Sequence, residues 1–218
     1  MHSSAGDEQV AERESDEAKR KRILEGSQSL FFRQGISSLT MDQIAALQGI
    51  SKKTLYKYFA NKMELVEAAL EDRIQRIAAE VYAVVDDHAR PFPRRMAEVL
   101  GVLSRQLALL GDRLLNDIVY REPHLWERID RFRREKVFGA MSSLLQQGIS
   151  DGFVRTDIEA RLIPMMFLTT LTTIMSPPQF FELTSPPAVI FQTVTRVLLG
   201  GILTEDGRAQ LRLAEAVE

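Results

Sequence analysis

Lysine and tyrosine side chains are interleaved along one short stretch, and this mixture is the clearest sign of chemistry in the sequence. The stretch reads SKKTLYKYFANK and runs from Ser51 to Lys62. Lysines alone are typical of a solvated helix face. Interleaved tyrosines suit a nucleic acid better, because the ring can contact a thymine methyl group and the hydroxyl can donate to phosphate. The stretch therefore predicts a contact with DNA.

The charge of the chain is distributed unevenly around this stretch. The formal net charge is −2 over 218 residues. Between Lys19 and Lys62, nine basic and two acidic residues give +7, which leaves −9 for the rest of the chain. A basic N-terminal module on an acidic body is the electrostatic pattern of a nucleic-acid binder, although a solvated basic surface would have the same charge.

Three helix starts are marked by capping residues within a short span. Thr40 and Gln43 have the spacing of a capping box, Ser51 can cap the next helix, and Asn61 can cap a third. Gly49 lies in the turn between the first two of these helices. A helix, a glycine-containing turn and a second helix form the pattern of a helix-turn-helix motif.

The second helix of this motif, Ser51 to Phe59, is predicted to have two different faces. Leu55 and Phe59 are four residues apart and should pack inward. The side chains left facing outward are Lys52, Lys53, Thr54, Tyr56 and Lys57. The N-terminal turn of such a helix suits the major groove, because its N–H groups favour phosphate and its side chains can reach base edges. Tyr58 is suited either to DNA contact or to packing.

The sequence offers little support for catalysis, metal binding or membrane insertion. His2, His88 and His124 are widely spaced, and cysteine is absent. We therefore expect no catalytic residue, no metal site and no cofactor. No stretch has the roughly 18 to 20 consecutive apolar residues of a membrane span, and no signal-peptide core is present at the start. A cytoplasmic location without membrane contact is expected.

The rest of the chain reads as helical throughout, so we predict an all-α fold. A long amphipathic helix over 62–87 is followed by helices near 94–110, 112–120, 123–147, 157–175 and 186–199. Pro164 should kink the fourth of these or mark its true first turn. The predicted domains are a disordered leader at 1–14, a helix-turn-helix domain at 15–62, a helical domain at 63–205 and a tail at 206–218.

Residues 19–70, and above all LTMDQIAALQGISKKTLYKYFANK, resemble the DNA-binding domain of the tetracycline-repressor (TetR/AcrR) family of bacterial transcription regulators. In place of the alanine–glycine–valine turn common in that family, this chain has Leu47-Gln48-Gly49-Ile50. The resemblance implies that Thr40 and Lys62 contact phosphate. It also implies a recognition helix made of Ser51, Lys52, Lys53, Thr54, Tyr56, Lys57 and Tyr58.

The resemblance further implies a helical regulatory half that binds a small effector and pairs with a second subunit. For the dimer interface we predict Ile190, Phe191, Val194, Val197 and Leu198, which form an apolar stripe on the final long helix. For the effector pocket we predict apolar and aromatic residues: Phe92, Leu107, Leu110, Leu114, Tyr120, Trp126, Phe132, Met141, Met166 and Phe167. An ordinary core would use the same residues.

The sequence-based hypothesis is a homodimeric repressor that binds palindromic operator DNA and leaves it when an apolar or aromatic effector binds. The helix that begins at Lys62 is expected to be the only covalent bridge between the two parts. The alternatives are an activator, a DNA-binding regulator without a ligand, or a helical scaffold or enzyme whose basic N-terminus binds acidic protein.

Overall fold

The computed structural model describes residues 4–159, 161–174 and 185–215 of the chain. Helices account for most of these residues, and the only β-type pairing in them is a single antiparallel bridge between Val154 and Leu203. The predicted all-α class is confirmed. The SPPQ sequence that begins at Ser176, a form suited to starting a helix, lies outside the described residues.

The helices follow one another with short connections. Their bounds are α1 Ser4–Gln34, α2 Met41–Leu47, α3 Lys52–Tyr58, α4 Lys62–Val85, α5 Phe92–Ala108, α6 Asp112–Asn116, α7 Pro123–Phe132, α8 Phe138–Ser150, α9 Leu162–Ile174, α10 Pro187–Ile202 and α11 Glu205–Glu215. Two π-helical segments, Asp117–Arg121 and Arg133–Val137, follow α6 and α7. The second joins α7 to α8 without a break, as the single helix predicted over 123–147 requires.

The chain divides into two compact units, and the boundary differs from the predicted one. Unit 1 contains residues 1–73 and 111–117, whereas unit 2 contains 74–110 and 118–218. The limit of unit 1 at 73/74 lies beyond the boundary expected at 62/63, because α4 is continuous and contributes its first half to unit 1. The chain also passes between the units at 110/111 and at 117/118, so α4 is not the only covalent bridge.

Unit 1 is built on the capped short helices that the sequence predicted. Its core contains Ile23, Leu24, Leu30, Phe31, Leu39, Ile44, Leu55, Phe59, Leu65 and Val66, all buried. Inside this unit the side-chain amide of Gln28 donates to the carbonyl oxygen of Ala69 at 2.8 Å and to the carboxylate of Asp72 at 2.8 Å. These bonds fasten α1 to α4.

Unit 2 is organised around α5, whose buried residues face several other helices. Its core combines Val81 and Val85 of α4 with Phe92, Met96 and Val99 of α5. Further members are Met141, Leu144, Leu145, Phe167, Leu171, Phe191 and Val194 from α8, α9 and α10. Aromatic pairs lie within this core: Phe92 stacks on Phe153 with ring centroids 5.9 Å apart. The apolar stripes that were read from the sequence therefore converge on one core.

At both ends of the chain, the structure has a helix where the sequence analysis expected a leader or a tail. Helix α1 already begins at Ser4, where a disordered leader was expected over 1–14. Residues 206–215, expected to be part of a tail, belong to α11. The reason for the first difference is the alanine and glutamate content before Asp16, because these residues have high helix propensity although they lack an apolar period. The reason for the second is that Leu211 is buried in the core of unit 2.

Pro164 lies in the first turn of α9 rather than at a kink in a longer helix. The helix begins at Leu162, five residues later than the predicted start. A proline in the first helical turn removes an N–H group that would have no intrahelical partner in any case. This is one of the two outcomes that the sequence left open.

Candidate nucleic-acid interface and regulatory unit

Local hydrogen bonds fix the helix-turn-helix geometry of α2 and α3. The backbone N–H of Thr40 donates to the side chain of Gln43 at 2.9 Å, and the Gln43 N–H donates back to the Thr40 hydroxyl at 3.3 Å. The Ser51 hydroxyl accepts from the N–H of Thr54 at 3.0 Å. Gly49 has φ +66°, a left-handed conformation in which glycine carries no steric penalty. Both predicted caps are confirmed.

The inner face of α3 packs as the sequence predicted. Leu55 is 0% exposed and Phe59 is 1% exposed, and Ile44 of α2 is equally buried. The guanidinium of Arg20 on α1 lies over the Phe59 ring, 5.2 Å from its centroid. Burial of this face against α1 and α2 sets the rotation of α3, and with it the direction of every other side chain on the helix.

The outer face of α3 presents cations and an aromatic ring to solvent. Lys52, Lys53 and Lys57 are exposed, and Tyr56 is 49% exposed, which is unusual for a tyrosine in a packed domain. Ser51 is also exposed, whereas Thr54 and Tyr58 are half-buried. The seven residues of the implied recognition helix are thus brought together on one short element, and their contact with DNA stays a prediction.

Two acidic residues already engage the lysines of this face. The ammonium of Lys52 forms an ion pair with Asp42 of α2. The Lys57 ammonium forms another with Asp16 of α1, at 2.9 Å from the nearer carboxylate oxygen. The hydroxyl of Tyr58 donates to the same Asp16 carboxylate at 2.7 Å. The sequence could not reveal this role of Asp16, because Lys57 is 41 positions away in the chain.

The contacts of Asp16 shift two ionisation equilibria in opposite directions. The hydrogen bond from Lys57, followed by that from Tyr58, lowers the pKa of Asp16 below its ordinary value, because both donors stabilise the carboxylate. The same hydrogen bond to Asp16, together with partial burial, raises the pKa of the Tyr58 hydroxyl. Asp16 therefore stays ionised and Tyr58 stays protonated at neutral pH.

The loop between α1 and α2 is held from two sides inside unit 1. The Lys62 ammonium donates to the carbonyl oxygens of Ile36 at 3.2 Å and Leu39 at 3.0 Å. The buried carboxylate of Asp117 accepts from the N–H groups of Ile36 at 2.6 Å and Ser37 at 2.8 Å. Lys62, assigned to phosphate by the resemblance, thus also has a structural partner. Asp117 was missed, since nothing in its local sequence separates it from a solvated acid.

The predicted pocket residues are divided among different surroundings. Phe92, Met141 and Phe167 lie in the core of unit 2, with Leu107 packed against it. Leu110 and Phe132 are half-buried. Leu114 belongs to unit 1, so it does not line a pocket with the others. Tyr120 is 58% exposed and Met166 is 52% exposed, and their role as pocket-lining residues stays a prediction.

Trp126 lines an open cleft of about 400 Å³ beside α9. The other lining residues are Asp130, Arg134, Leu168, Thr169, Thr172 and Thr173. Next to it, the guanidinium of Arg133 lies 4.9 Å from the centroid of the Trp126 ring. Burial lowers the pKa of Arg133 to about 10, and the charge of Asp130 opposes this shift. Arg133 remains a cation at neutral pH.

The residues predicted for the dimer interface differ in how far they are buried. Ile190, Phe191 and Val194 are buried in the protomer itself, and their place in a subunit interface stays a prediction. Val197 is 69% exposed, and Leu198 is half-buried. The exposed apolar side chains of α9 and α10 include Leu162, Met165, Met166, Val189 and Val197. Most of the stripe read from the sequence is the core face, whereas Val197, seven residues after Ile190, lies at its solvent-exposed edge.

Metal-binding clusters and membrane-spanning helices are both absent from the part of the chain that the structure describes. Its histidine and acidic side chains form no group of three that could hold a metal ion. Across the same residues, every helix is too short or too polar to span a bilayer.

Known proteins resemble this chain in sequence and in fold. Residues 23–69 match the model of the bacterial regulatory proteins, tetR family. The HTH-type transcriptional regulator YvaF of Bacillus subtilis is 25% identical over 186 residues, which are 85% of this chain and 96% of YvaF. These matches cover the helix-turn-helix and extend well into unit 2.

Solved structures show the same fold at lower identity. SmeT, the repressor of the Stenotrophomonas maltophilia multidrug efflux pump SmeDEF, superposes with a TM-score of 0.59 and 17% identity, covering 85% of this chain and 91% of SmeT. FadR of Bacillus subtilis, solved with stearoyl-CoA, has a TM-score of 0.56 and 18% identity, covering 84% of this chain and 98% of FadR. Residues 23–69 thus match the tetR family of bacterial regulatory proteins, and the chain as a whole is similar to helix-turn-helix transcriptional regulators.

Proposed function

We propose that this protein is a transcriptional repressor that binds a roughly palindromic operator as a homodimer and is released by a small effector. The observation that carries the proposal is the outer face of α3. Lys52, Lys53, Tyr56 and Lys57 are exposed together on the second helix of a capped helix-turn-helix. Such a face can place ammonium groups on phosphates and an aromatic ring on base edges in the major groove.

The requirement for a dimer follows from the length of α3. This helix has 7 residues, so it can read only a few base pairs. Two such helices related by a twofold axis would read matching half-sites about a helical turn or more apart. The exposed apolar side chains of α9 and α10, among them Met166 and Val197, supply a surface that a second copy would cover.

The effector is proposed to bind within unit 2 and to be apolar or aromatic. The core around Phe92, Met141 and Phe167 provides apolar walls of the kind that line small-molecule sites between helices. Two proteins with the same fold support a ligand-controlled repressor: SmeT is a repressor, and FadR was solved with stearoyl-CoA. The chemical identity of the effector is a separate question.

The effector would release DNA by changing the position of α4. Val81 and Val85 belong to the core of unit 2, while the same helix begins at Lys62 in unit 1. A ligand placed against the second half of α4 can favour a different tilt of the helix, which would alter the spacing of two recognition helices in a dimer. Only a difference in affinity between the two states can drive this change, and DNA must then weaken effector binding by the same factor.

Two alternatives keep the DNA contact but change its consequence: an activator, or a regulator that has no small-molecule ligand. The position of the operator relative to the promoter separates the first from a repressor, and ligand screening separates the second. A helical scaffold or enzyme, whose basic face binds acidic protein, would lack any preference for DNA sequence.

The test of DNA binding is an electrophoretic shift with genomic fragments, followed by titration of the selected operator at several salt concentrations. Lys53 is exposed and has no hydrogen-bond or ion-pair partner within the described residues, so Lys53→Ala removes one cation without disturbing a contact. We expect weaker operator binding and a salt-dependence slope that is lower by about one. Lys136→Ala, which removes an exposed lysine of unit 2, is the matched control.

The ligand-dependent part has its own test. A confirmed effector is titrated by calorimetry into the free protein and into the protein saturated with operator. A repressor that is released by its effector should bind it about 5- to 150-fold more weakly on DNA. Equal affinities in the two titrations would rule out allosteric release by that compound.

A further inference from the structure

A groove on unit 2 lies between α5, α10 and α11, and it shares no residue with the predicted effector pocket. Its volume is about 670 Å³, within the range of roughly 300–1,000 Å³ that is common for small-molecule sites. The floor consists of buried apolar residues: Ala97, Leu100, Phe191, Leu199, Leu203 and Leu211. Gly101 and Gly200 on its walls keep it open, because they carry no side chain.

The charges at this groove all have one sign. Arg196, Arg208 and Arg212 line it, and its lining contains no acidic residue among the described positions. Arg208 is held in place, because its Nη1 donates to the carbonyl oxygens of Gly200 at 3.0 Å and Leu203 at 2.8 Å. Arg196 and Arg212 are exposed and form no hydrogen bond or ion pair with any described residue. Three guanidinium groups above an apolar floor are complementary to an anion that carries an apolar tail.

One buried polar group at the wall also lacks a partner. The hydroxyl of Thr195 lines the groove, the residue is only 8% exposed, and its Oγ1 has no hydrogen-bond partner in the described part of the structure. A buried hydroxyl without a partner is unfavourable, and buried polar groups in native proteins nearly always have one. Rotation of the Thr195 side chain about its Cα–Cβ bond would turn the hydroxyl toward the groove, where a ligand oxygen would supply the missing bond.

These observations together restrict the occupant. A free inorganic anion would leave the apolar floor uncovered, and a neutral lipid would leave the arginines without a counter-charge. A second copy related by a twofold axis would bring arginines against arginines, which disfavours a subunit contact at this place. We propose that the groove is a second ligand site, for an amphiphile with a single anionic head group and an unbranched apolar tail. Its occupancy does not depend on whether the protein is a repressor.

The binding test uses calorimetry on the full chain with decanoate, decanol and acetate, each below its aggregation concentration. We expect decanoate to bind at least tenfold more tightly than decanol or acetate, because only decanoate has both head and tail. Decyl phosphate is the fourth probe: tighter binding than decanoate indicates a phosphate head group and weaker binding a carboxylate, and both results support the site. Absence of decanoate binding, or equal binding of decanol, would overturn the proposal.

Substitutions of groove residues then test whether decanoate binds in this groove. The double variant Arg196→Gln/Arg212→Gln should weaken decanoate binding at least tenfold. Gly200→Leu should block it by filling the groove, since a Cβ built on Gly200 meets no atom within 4 Å and the variant should fold. Arg105→Gln on α5 is the matched control, because Arg105 is exposed but does not line the groove. Unchanged affinity in the double variant and in Gly200→Leu would show that decanoate binds elsewhere and would overturn the assignment.

The variant Thr195→Val tests the role of the hydroxyl while keeping the packing of the side chain nearly unchanged. Valine has nearly the same shape, so the ligand-free variant should melt at a higher temperature once the unpartnered hydroxyl is removed. The same change should weaken decanoate binding by about 2- to 12-fold, the ordinary range for one hydrogen bond. A lower melting temperature together with unchanged decanoate affinity would contradict the role assigned to Thr195.

Discussion

Asp16 and Lys57 are 41 positions apart in the chain, yet their side chains form an ion pair at 2.9 Å on the face proposed to meet DNA. Asp16 also accepts from Tyr58, so one carboxylate engages two side chains of the recognition helix. Both partners of the ion pair are substantially exposed, and exposed pairs add little to stability. The contacts of Asp16 should therefore affect DNA binding more than stability, because phosphate must compete with Asp16 for Lys57 and Tyr58.

Asp16→Asn should strengthen operator binding a few-fold, because Lys57 no longer has to leave a carboxylate. Glu17→Gln is the matched control: it removes an exposed neighbouring charge that has no contact with α3 among the described residues. Titration of operator into the three proteins at one salt concentration measures the effect. Equal gains in both variants would mean that only net charge matters and that the Asp16 contact has no specific role.

The same ion pair predicts a pH dependence of stability. Because the hydrogen bonds from Lys57 and Tyr58 lower the pKa of Asp16 in the folded protein, its contribution is present above the ordinary value of 3.8. The contribution is lost as the pH falls through the lowered pKa. The melting temperature of the wild type should thus exceed that of Asp16→Asn near pH 6, and the difference should vanish in strong acid. A difference that grows below pH 3.8 would contradict this sign.

Asp117→Ala should destabilise unit 1 by about 2–4 kcal/mol, because it leaves the N–H groups of Ile36 and Ser37 without their acceptor. Denaturant unfolding measures the loss. Asp151→Ala, which removes an exposed aspartate at the end of α8, is the control and should change the free energy of unfolding by less than about 0.5 kcal/mol. Similar small effects in the two variants would show that the loop between α1 and α2 does not depend on Asp117.

Lys62→Ala distinguishes the two roles that Lys62 now has. If its ammonium contacts phosphate, operator and nonspecific DNA should both bind more weakly, and the salt-dependence slope should fall by about one. If it serves only the carbonyl groups of Ile36 and Leu39, the variant should lose stability while the slope stays unchanged. We expect a lower slope. Parallel unfolding and DNA titrations decide between these outcomes.

Val197→Glu should dissociate the proposed dimer without unfolding the protomer, because Val197 is 69% exposed. Sedimentation at micromolar concentration should then show a monomer with unchanged helical circular dichroism. Leu213→Glu is the control, since Leu213 has the same exposure but lies on α11. A Val197→Glu variant that remains dimeric would place the subunit interface elsewhere, and a monomeric wild type, free and on DNA, would contradict the dimer itself.

The sequence by itself determined the elements whose causes are local. The capping box at Thr40, the cap at Ser51 and the glycine at Gly49 act within a few residues, so the starts of α2 and α3 follow from the sequence alone. The inward direction of Leu55 and Phe59 follows from helical period in the same way. These elements are also the ones that carry the family resemblance.

Only the tertiary structure decided which distant groups meet and which apolar face stays exposed. Asp16 reaches Lys57, and Asp117 reaches Ile36, across separations that no local pattern encodes. A helical stripe such as that of α10 shows that two faces differ, but not which face a neighbouring helix will cover. Ile190 and Val194 are buried whereas Val197, at the edge of the same stripe, is exposed, because the contacts of α10 with α5 and α9 in the assembled core cover only part of the stripe.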